Sequence, residues 1–248
     1  MFNHGDTGTS DRMNRTSVLL VSLALVGCAL GTSLVMESTY EPPESSDVYY
    51  VALGDSITYG MAGDTGVRMI HPYPCQVSEA LRLERHLNLA VSGATVSYGA
   101  GNNTVNQLFV VPSDADMVSV MIGVNDFNFG APLGDIDDMT QDTVYGGLNL
   151  LAKGLKERCP DAFIFFMTPF QFPGNMGSNH MGYTLRDVAD AVEDVCASYG
   201  IPVLDMYDEG GFSMESDPKC DTLHPTQGFF RKNTAPQISD FIRENYVA

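Results

Sequence analysis

The chain has 248 residues, 44% of them hydrophobic and 18% charged, with a formal net charge of −18. This length and apolar content suit one large α/β domain of about 200 residues plus a leader, and they argue against a chain disordered by composition. The negative charge, with no basic stripe, argues against nucleic acid and against anionic membrane surfaces as partners of the folded part.

Arg12 and Arg15 precede an uncharged stretch from Thr16 to Met36. An apolar run of about 20 residues can span a bilayer. A basic segment followed by an apolar one also reads as an export signal. Inside the stretch, "LVGC" (Leu25 to Cys28) resembles the bacterial lipobox, which implies Cys28 as the lipidated mature N-terminus. Three outcomes stay open: a lipoprotein held through Cys28, a membrane anchor reaching Met36, or a cleaved and secreted chain. All three send the domain out of the cytoplasm. The expected organisation is a leader over 1–28, a flexible linker over 29–46 ending in the polar tether "ESTYEPPESS", and one domain over 47–248.

"VYYVAL" (48–53) reads as a strand that stops at Gly54-Asp55-Ser56. "PCQVSEALRLE" (74–84) reads as a helix with Val77, Ala80 and Leu81 on one face. "HLNLAV" (86–91) is a second strand, running into "SGAT" (92–95). "DMVSVMIG" (116–123) is a third, running into "GVND" (123–126). Residues 139–159 carry Val144, Leu148, Leu151 and Leu155 at a helical period. "AFIFFMTP" (162–169) is a fourth strand, followed by a long loop (170–183) that reads equally as a substrate cover or a passive surface loop. Residues 184–200 form a helix ended by Gly200, "IPVLDMY" (201–207) a fifth strand, and 225–245 a closing helix interrupted near Pro236.

Continuous apolar strands alternating with helices predict a buried parallel five-stranded sheet in a three-layer α/β/α sandwich with right-handed crossovers. Ligands in such sheets bind beyond the carboxyl ends of the strands. Gly54-Asp55-Ser56, "SGAT" and "GVND" all fall on that edge, and "DTLHPT" (221–226) follows the last strand. Acyl transfer needs a nucleophile with an adjacent base, a carboxylate that fixes the base's tautomer, and N–H donors for an oxyanion. Ser56, His224 and Asp221 are of the first three types. Gly93 and Asn125 are donor candidates, with the backbone N–H of Ser56.

The ordered set "GDSIT", "SGA", "GVND" and "DTLHP" resembles the SGNH (GDSL) hydrolase family over residues 48–245. The resemblance implies a flavodoxin-like three-layer fold, serine esterase or lipase activity, no metal or organic cofactor, and a monomer. It implies Ser56 as nucleophile, His224 as base and Asp221 as its orienting carboxylate. It implies an oxyanion hole from Ser56, Gly93 and Asn125. The implied partner is a small-molecule, glycan or lipid ester. The family resemblance spans acetylated sugars, lysophospholipids, thioesters and aryl esters, and no residue here separates them. Acyl transfer to a glycan, and a surface-anchored binding module without turnover, stand as alternatives.

Other residues have plainer readings. His71 reads as loop structure, with a place on the substrate rim as its alternative. His86 and His180 have no metal-like companions. Asp55 and Asp126 read as turn-stabilising carboxylates. Cys75, Cys159, Cys196 and Cys220 fit no zinc spacing and allow three disulfide connectivities, with a slight preference for none.

Overall fold

The computed structural model describes residues 46–97, 102–174 and 177–246. Cys28, the leader and the linker up to residue 45 lie outside the described residues. Among the described residues no helix is long and apolar enough to cross a membrane.

The chain runs β1 (Ser46–Gly54), α1 (Ser56–Tyr59), α2 (Tyr73–Leu81), β2 (Leu83–Asn88), α3 (Thr104–Gln107), β3 (Met117–Met121), α4 (Val124–Phe129), α5 (Val144–Arg158), β4 (Phe163–Met167), α6 (Leu185–Tyr199), β5 (Val203–Leu204), α7 (Gln227–Phe229) and α8 (Ala235–Asn245). The five strands form one sheet in the order β2-β1-β3-β4-β5. Every neighbouring pair is parallel. This is the expected architecture. Its physical basis is visible in β1, β3 and β4, whose residues 50–54, 117–121 and 164–167 are all buried. Strands buried on both faces need continuous apolar runs, and parallel neighbours need helical crossovers to cover them. Two helix pairs, α5 with α6 and α2 with α8, supply much of that cover.

β1 starts at Ser46, one residue inside the expected linker, because the Ser46 N–H donates to the Arg82 carbonyl at 3.0 Å. β2 begins three residues before the run "HLNLAV" and ends within it. Arg82 takes a left-handed conformation (φ 55°) and ends α2, so the chain enters the sheet at once. β2 is an edge strand, and Glu84, Arg85 and His86 stay exposed on it. The apolar signal marked its downstream continuation, where Leu89 N–H and Val91 N–H still bond to the Ala52 and Gly54 carbonyls. The closing helix departs from α geometry just before Pro236, where an interruption was expected. Pro236 has no N–H to give, and the preceding turn widens into a π-helix over Phe230–Thr234, with Ala235 N–H reaching back to the Phe230 carbonyl.

Cys75, Cys159, Cys196 and Cys220 are all free thiols. Cys159 and Cys196 are buried and pack as small hydrophobes in the core.

Candidate active site

Ser56 is the first residue of α1, directly beyond the carboxyl end of β1. Asp55 caps this helix, its Oδ1 accepting from Ile57 N–H at 2.9 Å. The Gly54 peptide just before it is held from both sides by the buried Gln107 amide. Gly54 N–H donates to Oε1 at 3.3 Å, and Nε2 donates to the Gly54 carbonyl at 3.2 Å. The turn that presents Ser56 is thereby fixed by a helix cap and a side-chain clamp.

The segment from Asp221 to Pro225 meets it across 168 residues of chain. His224 Nε2 lies 2.9 Å from Ser56 Oγ. His224 Nδ1 lies 2.8 Å from Asp221 Oδ2. The other Asp221 oxygen accepts the backbone N–H groups of His224 and Leu223 at 2.6 and 3.0 Å. Partial burial raises the Asp221 carboxyl, but these donors outweigh it and hold its pKa below the usual carboxylate range. An ionised carboxylate only accepts, so Nδ1 carries the ring proton and Nε2 presents its lone pair to Ser56. Ser56 is buried and His224 half-buried, while the Asp221 side chain is 40% exposed.

Asn125 stands in the first turn of α4 at the end of β3. Its Nδ2 donates to the Ala94 carbonyl at 2.8 Å. That bond ties α4 to the loop after β2, where Gly93 sits at φ +78°. No heavy atom lies within 4 Å of where a Gly93 side chain would project, so its glycine answers to the backbone conformation and not to crowding by the protein. Asp126 is fully buried and accepts from Val96 N–H, Ser97 N–H and Ser97 Oγ at 3.0, 2.9 and 2.5 Å. This is the structural role expected of it. Burial raises its pKa against those bonds. Burial also pushes the Asp55 carboxyl up to about 7, with the charge of Asp126 adding to the rise.

His71, the rival histidine, lies against Cys75 and Glu79 on α2. The loop over 170–183 packs down at its two ends, while Gly177, Ser178, His180 and Met181 between them are exposed. Phe170, Phe172 and Tyr183 are buried, Tyr183 Oη donates to the Asp126 and Ala131 carbonyls, and Gly174 N–H donates to the Thr222 carbonyl at 3.2 Å.

Two residues that support the site were not singled out in the sequence. Asp217 is buried and accepts from Thr226 N–H and Thr226 Oγ1 at 2.6 and 2.7 Å, pinning the chain just after His224. Gly63 N–H donates to the Pro225 carbonyl at 3.0 Å. Neither partner stands at a local motif spacing, so pattern alone held no signal for them.

Taken with the parallel sheet, a serine, histidine and aspartate joined in one hydrogen-bond relay at the carboxyl edge define a candidate serine hydrolase. The comparisons make the class specific. The model of the GDSL-like lipase/acylhydrolase family matches residues 52–228, and the chain belongs to that family. It is an acylhydrolase of the GDSL type. A solved structure from Lactobacillus plantarum is 28% identical, covers 82% of this chain and 100% of its own, and superposes with a TM-score of 0.71. A possible lipase from Chitinophaga pinensis is 23% identical over 79% of this chain and 98% of its own, with a TM-score of 0.64. A carbohydrate acetylesterase family member from Sinorhizobium meliloti is 17% identical over 79% and 98%, with a TM-score of 0.58. Among curated proteins none matches significantly.

Proposed function

We propose that this acylhydrolase cleaves acetyl or short-acyl esters of a carbohydrate or lipid outside the cytoplasm, through an acyl-enzyme on Ser56. The observation that carries the mechanism is the relay from Asp221 Oδ2 through His224 to Ser56 Oγ, at 2.8 and 2.9 Å. His224 Nε2 takes the Ser56 proton as Oγ attacks the ester carbonyl. Asp221 holds the ring with Nδ1–H toward it and stabilises the imidazolium that forms. The Ser56 N–H at the start of α1, the Gly93 N–H and the second Asn125 Nδ2 hydrogen receive the oxyanion. The imidazolium then protonates the leaving alkoxide. Water activated by His224 releases the acid and frees Ser56.

The substrate class rests on the names of structural neighbours, which include a carbohydrate acetylesterase family member and a possible lipase. The address rests on the sequence, where Arg12, Arg15 and the apolar stretch around Cys28 favour export and lipid anchoring.

The test is to treat the full chain and its Ser56→Ala variant with a fluorophosphonate probe, and to follow p-nitrophenyl esters of increasing acyl length. Labelling and turnover that vanish in the variant, with rates falling as the chain lengthens, are the expected result. An unlabelled, well-folded wild type overturns the mechanism. A preference for long acyl chains overturns the substrate class alone.

A further inference from the structure

Loop residue His71 and two residues of α2, Cys75 and Glu79, follow one another at four-residue intervals. Cys75 and Glu79, four apart, share one face of α2, and the loop before the helix brings His71 against both. His71 Nδ1 lies 3.3 Å from Cys75 Sγ and 3.3 Å from Glu79 Oε1, and Cys75 Sγ lies 3.7 Å from Glu79 Oε1. A tetrahedral ion with bonds of about 2.0–2.1 Å to nitrogen and oxygen and about 2.3 Å to sulfur keeps its ligand atoms roughly 3.3–3.6 Å apart. The two His71 separations fall within that range, and the Cys75–Glu79 separation of 3.7 Å lies just beyond it. The backbone of His71 is anchored as well, its carbonyl accepting from Gln76 Nε2 at 2.7 Å, and Pro72 follows it as the cap of α2.

We propose that His71, Cys75 and Glu79 form a binding site for a divalent cation of borderline softness, zinc by its donor set. One imidazole nitrogen, one thiolate and one carboxylate oxygen make three ligands, and the fourth position belongs to water. His71 and Glu79 also line an open cleft of about 780 Å³ between α2 and α8, which gives the ion a route of entry. The Cys75 thiol transfers its proton to solvent as the metal–sulfur bond forms, so one proton leaves per ion bound. The bound ion would staple the loop before α2 to two turns of that helix. That loop also carries Gly63, whose N–H bonds to the Pro225 carbonyl beside His224. The signal in the sequence is a His-x3-Cys-x3-Glu spacing, invisible to a search for paired cysteines.

The experiment is titration of the full-length, metal-stripped protein with Co2+, and competition by Zn2+. Expected are one tight equivalent, a thiolate-to-cobalt charge-transfer band, displacement by Zn2+ and release of one proton. Cys75→Ser abolishes the band, and His71→Ala and Glu79→Gln each weaken binding on the order of a hundredfold or more. All three positions are at least partly exposed, and circular dichroism checks that each variant folds. Ser56→Ala and His224→Ala bind as wild type does, which separates this site from the relay. Absence of the band at saturating cobalt overturns the proposal. So does a band that survives Cys75→Ser, undiminished affinity in both His71→Ala and Glu79→Gln, or binding lost in His224→Ala.

Discussion

Gly63 lies directly against the backbone of His224. A Cβ built on Gly63 would stand 2.1 Å from the His224 carbonyl oxygen and 2.7 Å from the Asp221 nitrogen. The loop after α1 and the loop carrying the candidate base are thus seated on each other with no room for a methyl group. Gly63→Ala forces the segment from Asp221 to Pro225 to move, since both nearest atoms are backbone. A displacement of about 1 Å at reacting groups costs on the order of a hundredfold in rate. The expected result is a loss of kcat of that order with a folded protein. Ester hydrolysis and a thermal melt check it together, and full activity in Gly63→Ala would show that this seating does not position His224.

Asn125→Ala removes a proposed oxyanion donor together with the bond to the Ala94 carbonyl. Loss of one such donor costs roughly 10²–10³ in kcat. The fall is expected in kcat, with KM little changed, because the charge appears only in the transition state. Steady-state kinetics on one p-nitrophenyl ester decides it, and a rise in KM at constant kcat contradicts the role.

Asp221→Asn keeps the size of the side chain and replaces an acceptor pair by one acceptor and one donor. The ring then favours the tautomer that turns a proton toward Ser56. A fall of about 10³–10⁴ in kcat is expected. Fluorophosphonate labelling should slow in parallel, since the probe reports the same activated hydroxyl. Labelling at the wild-type rate would separate Asp221 from activation of Ser56.

Asp55 gives a pH dependence of stability with a definite sign. Its carboxyl rises from 3.8 to about 7 on folding, chiefly through burial. Between those values the folded state holds more protons than the unfolded state, so stability falls as pH rises. The stability this group contributes is present below about 4 and lost by about 7, on the order of 4 kcal/mol. Asp55→Asn retains an oxygen for Ile57 N–H and cannot ionise. Urea denaturation between pH 4 and 8 should show a shallower decline in the variant and a more stable variant at pH 8. Parallel curves for the two proteins would mean that Asp55 does not bury its charge.

The layered parallel fold was legible in the sequence because β1, β3 and β4 are buried on both faces, and double burial demands unbroken apolar runs such as "VYYVAL" and "AFIFFM". The placement of β2 was not, because an edge strand tolerates Glu84, Arg85 and His86 and leaves no apolar mark. Ser56, Asp221 and His224 were legible by type and by their place after strands, and so were Gly93 and Asn125 as donor candidates.

By itself, then, the sequence determined which residue types stand at the strand ends, since local turn chemistry and apolar periodicity are written in neighbouring residues. Only the tertiary structure decided that Nε2 of His224 reaches Ser56 Oγ across 168 residues. It alone placed Gly63 against the backbone of the base. Such relationships depend on distances of a few ångströms between segments far apart in the chain. Those distances are set by packing, which no local pattern encodes.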